Sequence, residues 1–167
     1  MGPPRLSATD RLLIRLLQQD ARRSNKELAR LAGIAESTCL ERVRNLRERG
    51  VITGWHAHTD LDALGRPIRA LISVRLQPKT TASVNDFVES VLAAAETVAI
   101  DTVSGEDDFL VRVAVPGVEW LRTFVLEHIT SRSDVADTRT SLVYDHQAKD
   151  VIEEMETLPR PHPPLQG

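Results

Sequence analysis

Residues 24–54 read SNKELARLAGIAESTCLERVRNLRERGVITG, and the glycine at position 33 divides two stretches of helical period. Ser24 is predicted to cap the first helix, with Glu27 three residues on as its capping-box partner. Leu28 and Leu31 mark a short apolar face, and Gly33 stands where helices end in left-handed backbone. From Glu36 to Arg49 the period resumes, with Cys39, Val43 and Leu46 at i, i+4 and i+7 on one face. The opposite face carries Ser37, Thr38, Glu41, Arg44 and Asn45, with Arg42 and Arg47 on its flanks. A short helix, a glycine turn and a longer helix with hydroxyl, amide and guanidinium groups outward is the helix-turn-helix arrangement. It brings short donors to base edges and long cations to phosphates. The same pattern also suits an all-α domain with a solvated arginine face, so the rest of the chain must decide.

Charge separates the two readings. The net charge is −3, which by itself argues against nucleic acid, but it is unevenly spread. Residues 1–58 hold 11 basic and 6 acidic side chains, whereas residues 59–167 hold 10 and 18. Such asymmetry marks a nucleic-acid-facing half joined to a half with another task. The 167 residues suffice for two small domains with their own cores. No apolar run approaches the ~20 residues that span a bilayer, and the start lacks a signal-peptide profile, so a cytoplasmic protein without membrane contact is expected. The single cysteine, Cys39, falls on the apolar helix face and is expected to be a small core residue.

Upstream, Ser7 is placed to cap a helix running to about Gln19, with Asp10 near its positive end and Leu12, Leu13, Leu16 and Leu17 as its apolar stripe. Leu13, Leu17, Leu28, Leu31, Val43 and Leu46 are the predicted core of this three-helix unit. Residues 51–58, VITGWHAH, are rich in β-formers around a glycine and predict a hairpin, the wing of a winged helix, with Trp55 either sealing it to the helices or stacking at an interface. Polar residues 59–68 read as the linker. Beyond it, residues 69–76 alternate as a strand, and Val84, Phe87, Val88, Val91 and Leu92 stripe a helix. Residues 98–104 and 108–115 are two strands about a tight turn, Phe109, Val111, Val113 and Val115 sharing one face. Pro116 and Gly117 open a helix through Trp120, Leu121, Phe124, Val125 and Ile129, and residues 135–144 form a last strand. The order βαββαβ predicts a ferredoxin-like α+β domain over residues 69–146. Its helices cover one sheet face, and an apolar second face would favour a homodimer. A short helix at residues 150–158 and a flexible Pro-rich tail are expected to complete residues 147–167.

With this order of elements, the chain resembles the Lrp/AsnC, or feast/famine, transcriptional regulators. The likeness spans Leu6 to about Tyr144. It rests on SNKELARLAGI, STCLERVRNLRERGVITGW, the turn VSGEDDFLV and the strand DTRTSLVY. The resemblance implies a sequence-specific regulator of double-stranded DNA with a palindromic operator, its C-terminal domains forming dimers and often tetramers or octamers. It further implies a small effector, commonly a free amino acid, bound at an interface between C-terminal domains. Matched residue by residue, the DNA-contacting positions fall on Asn25, Ser37, Thr38, Arg42, Arg44 and Asn45. The effector turn falls on Gly105, Glu106, Asp107 and Asp108. Carboxylates there suit the ammonium of an α-amino acid and backbone N–H groups its carboxylate; their mutual repulsion would be relieved by a bound cation. Two positions depart from the family pattern: Ala35 stands where Ser or Thr caps the second helix, and Asp107 where an aromatic is frequent.

Two other functions fit less of the sequence. An amino-acid-binding assembly module would need no salt-dependent DNA affinity. An enzyme resembling the tetrapyrrole-modifying decarboxylases would need converging histidines, and nothing in the spacing of His56, His58 and His128 brings them together. No nucleophile–base pair, metal-ligand spacing or phosphate loop is present, so no catalytic residue, cofactor or metal is expected.

Overall fold

The computed structural model describes residues 6–155, which form two compact units. Residues 6–57 and 147–155 belong to the first, and residues 58–146 make the second.

The first unit holds three helices: α1 (Ala8–Gln19), α2 (Asn25–Ala32) and α3 (Glu36–Glu48). Ser7 and Asp10 form a reciprocal capping box at α1. At α2 the Ser24 hydroxyl accepts the Glu27 N–H (3.2 Å), and the cap is this single bond rather than the expected reciprocal box. Leu13, Leu16, Leu17, Leu28, Ala29 and Cys39 interlock as the core. Leu46 is also buried, Val43 only partly, and Leu31 lies at the surface. Both α2 and α3 end in the same device. Gly33 and Gly50 adopt φ of 66° and 69°, which only glycine enters without strain. The N–H groups of Ile34 and Val51 turn back to the carbonyls of Ala29 and Leu46, a Schellman closure.

The expected wing is not formed. Residues 51–57 contain no strand. The amides of Val51 and Ile52, which a hairpin would need for its ladder, both donate to the Leu46 carbonyl. A two-stranded ribbon of such short arms is marginal without a further strand. Trp55 instead lies against the Arg47 guanidinium, 4.7 Å from its ring centre. Residues 150–155 are not helical either, and residues 152–154 bond to α1. There the Gln18 side chain exchanges two hydrogen bonds with the Ile152 backbone (3.0 and 2.7 Å), and Glu153 and Glu154 pair with Arg15 and Arg11. The remainder of the expected helix and the Pro-rich tail lie outside the described residues.

The second unit has the element order β1 (Ile68–Leu76), α4 (Thr81–Ala93), β2 (Thr97–Thr102), β3 (Phe109–Val115), α5 (Val118–Phe124) and β4 (Val135–Leu142). Its antiparallel sheet is ordered β2-β3-β1-β4, the ferredoxin-like arrangement that the sequence predicts. One face alternates Ala70, Ile72, Val74 and Leu76 with Phe109, Val111, Val113 and Val115, all buried against Phe87 and Val91 of α4 and Leu121 and Phe124 of α5. α5 widens into a π-helical turn at Val125–Thr130, which seats Ile129 in the core. Trp120 falls one residue off this stripe and is 57% exposed, not in the core. The other sheet face is less apolar than expected. Leu71 and Leu110 are half-buried there among Arg75, Arg112 and Arg139, and Arg112 pairs with Asp101. Residues 58–67 fold with this unit: Asp62 pairs with Arg69, and Arg66 donates to the Ala95 carbonyl.

Candidate nucleic-acid interface and effector turn

α3 starts without a side-chain cap, as Ala35 requires. Its first turn is held from elsewhere in the fold: the Asn25 amide donates to the Glu36 carbonyl (2.8 Å), and Cys39 is completely buried. Burial pushes the Cys39 thiol above its ordinary pKa, so it packs as an apolar group. Anchored by Cys39 and Leu46, the helix turns Ser37, Thr38, Leu40, Glu41, Arg44 and Asn45 outward. Arg44 meets Glu48 at 3.3 Å, an exposed i,i+4 pair worth only ~0.3–0.5 kcal/mol and readily opened by a competing anion.

The six positions matched to DNA contact therefore divide. Ser37, Thr38, Arg44 and Asn45 stand exposed on one helix. Asn25 is half-buried and engaged with Glu36. Arg42 turns into the unit, where its guanidinium donates to Asp10 (3.0 Å) and to the Ser7 hydroxyl (3.3 Å). Burial pushes the Asp10 carboxyl up, but the Ser7 hydroxyl and amide and the Arg42 guanidinium outweigh it and hold Asp10 below its usual range. Asp10 acts here as more than a partner for the helix dipole: it is 7% exposed and ties the start of α1 to α3. Nothing local signals this contact between residues 32 apart. Leu40 lies at the margin of the polar face, beside Ser37 and Arg44, where hydropathy alone would assign a leucine to the core.

The turn between β2 and β3 also divides. Gly105 and Glu106 are exposed. Asp107 receives two hydrogen bonds from Arg139 of β4 (2.8 and 3.0 Å). Asp108 is 7% exposed and accepts from the Leu76 N–H (2.8 Å) and the Lys79 ammonium, while its own N–H donates to Val74 (2.9 Å). The Lys79 hydrogen bond most of all, with the Leu76 amide and the charge of Arg75, holds its carboxyl below the usual range against the opposing effect of burial. The expected repulsion within the acidic turn is thus absent, because Asp107 and Asp108 each already face a cation of the same chain. Sequence spacing could not pair them with Arg139 and Lys79, which reach the turn only through the sheet register.

His128 packs against the Phe124 ring, 5.0 Å between centres. Among the described residues, no group of three or more His, Cys, Asp or Glu side chains could hold a metal ion. No helix among them is long and apolar enough to cross a membrane.

Comparison with known proteins covers both units. Residues 6–47 match the AsnC-type helix-turn-helix domain and residues 69–156 the Lrp/AsnC ligand binding domain. The HTH-type transcriptional regulator AldR of Mycobacterium tuberculosis is 40% identical over 144 residues, covering 86% of this chain and 80% of that protein. The leucine-responsive regulatory protein of Rhizobium meliloti is 35% identical over 148 residues, covering 89% and 94%. Among solved structures, a transcriptional regulator from Neisseria meningitidis in complex with L-Met superposes with a TM-score of 0.79. It is 25% identical, with 93% of this chain and 97% of that one covered.

Proposed function

The chain belongs to the Lrp/AsnC family of DNA-binding transcriptional regulators, and on that premise we propose that it reads DNA with the outer face of α3 and responds to a free amino acid. Ser37, Thr38, Arg44 and Asn45 are the proposed DNA contacts. The observation that carries this reading is their joint exposure on a helix whose inner face is locked by Cys39 and Leu46. The Ser37 and Thr38 hydroxyls near the helix start and the Asn45 amide toward its end suit base edges, and Arg44 suits a phosphate or guanine. Asn25 and Arg42 hold α3 in place rather than reach the duplex.

For the effector, the names of two relatives point to amino acids: one is leucine-responsive, and one was crystallised with L-Met. At the turn, Glu106 is exposed and is the carboxylate proposed to receive the ammonium group, with backbone N–H groups around Gly105 for the effector's carboxylate. Asp107 and Asp108 position this turn through Arg139 and Lys79. The regulator acts in the cytoplasm as a homodimer that assembles further to tetramer or octamer. Paired α3 helices then meet a palindromic operator at half-sites about one turn, ~34 Å, apart.

A binding titration on the DNA upstream of the protein's own gene tests both halves, run across salt concentrations and with a panel of free amino acids. Salt-dependent binding that one amino acid strengthens, weakens or re-sizes is the expected result. Binding that no amino acid alters would remove the effector role, and no binding at low salt would remove the DNA role.

A further inference from the structure

The outward face of α3 holds one large apolar side chain. Leu40 is 62% exposed, on a helix where every other fully exposed residue is polar or charged. A single exposed leucine is ordinary on a protein surface; the distinguishing feature is its place. Leu40 stands three residues after Ser37 and four before Arg44, so the three share one stripe. That stripe belongs to the face proposed to enter the major groove. Leu40 is not part of the unit's core, which closes on Cys39 and Leu46.

Every base pair in the major groove can be read by hydrogen bonds, but thymine also presents a 5-methyl group, which only an apolar surface reads favourably. We propose that Leu40 is a specificity-determining residue that packs on a thymine methyl, flanked by the polar contacts of Ser37 and Arg44. Polar groups alone on this face would tolerate uracil in place of thymine, whereas a leucine on the methyl would not. The assignment rests on α3 being the DNA-reading helix, and it adds a base identity to that reading.

The test uses the full-length protein and the tightest duplex selected from a random-sequence library. Each thymine in the protected region is replaced singly by deoxyuridine, which removes the methyl and keeps the pairing. Wild-type protein should lose about fourfold in affinity for each methyl that Leu40 touches. Leu40→Ala and Leu40→Gln, both with good helix propensity, should bind the thymine duplex at least about fourfold more weakly. Both should be indifferent to deoxyuridine at that one position while keeping wild-type responses elsewhere. Unchanged sensitivity in both variants would overturn the assignment, as would wild-type affinity for thymine DNA. A change in sedimentation without a change in the deoxyuridine profile would overturn it as well, by placing Leu40 against another copy of the chain. If Arg44→Ala weakens binding while the Leu40 variants do not, the helix face stands and only the thymine contact falls. If wild type selects no duplex at low salt, the DNA reading itself has failed, and this assignment with it.

Discussion

Removing the Asp108 side chain separates a structural strut from a ligand contact. In Asp108→Ala the Leu76 N–H, now bonded at 2.8 Å inside the sheet, loses its acceptor where water cannot easily replace it. An orphaned buried donor costs about 1–3 kcal/mol. The Lys79 ammonium is more than half exposed, so its lost ion pair adds at most a few tenths. A net loss of about 2 kcal/mol is expected for the second unit, a fall of roughly 8–16 °C in its melting temperature for a unit of this size. The chain's two tryptophans fall one in each unit, so Trp120 fluorescence in a Trp55→Phe background follows urea unfolding of the second unit alone. The pH dependence supplies an internal check. Because the folded-state pKa of Asp108 is lowered, its charge-dependent stabilisation is fully present above the unfolded value of ~3.9 and fades as pH falls through the folded value. The gap between wild type and variant should therefore narrow below about pH 4. Stability within about 0.5 kcal/mol of wild type, together with a lost amino-acid response, would refute this reasoning and make Asp108 a ligand contact.

Arg42→Ala should lower the stability of the helical unit by about 1–2 kcal/mol, because the nearly buried Asp10 Oδ1 loses its guanidinium partner and only the Ser7 N–H remains on the carboxylate, read by thermal unfolding followed at Trp55. An unchanged melt with a lower salt slope of DNA binding would return Arg42 to the interface. Arg44→Ala should leave the melt unchanged, weaken DNA binding and reduce the salt slope by about 1; normal binding would refute the assigned helix face. Cys39 should resist alkylation by iodoacetamide in the folded protein and react on addition of denaturant, since burial both shields the thiol and raises its pKa. Rapid native labelling would show that the helical core opens far more readily than its packing implies.

Short-range pattern made most of the architecture legible. Apolar spacing of 3.6 located α1, α2, α3 and α4, and alternation located β1 and β3 with their buried faces. Ser7, Ser24, Gly33 and the βαββαβ order mark local chemistry that acts within a few residues, so they could be read directly. The wing misled because β-propensity does not say where the backbone amides go, and those of Val51 and Ile52 go to Leu46. The Arg42–Asp10 pair was not legible because a wheel distinguishes faces but not neighbours, and α1 occupies that side of α3.

Apart from the wing and the helix expected from residue 150, the elements, their order and the family were legible from periodicity and from motifs a few residues long. Tertiary structure alone decided which charges remain available. Arg42, Asp107 and Asp108 are paired with Asp10, Arg139 and Lys79, residues about 30 positions away. Ser37, Leu40 and Glu106 stay at the surface. A charged side chain near an opposite charge of its own chain is stabilised by that neighbour and is the less free to bind another. Only the folding of distant segments together settles which groups have such a neighbour.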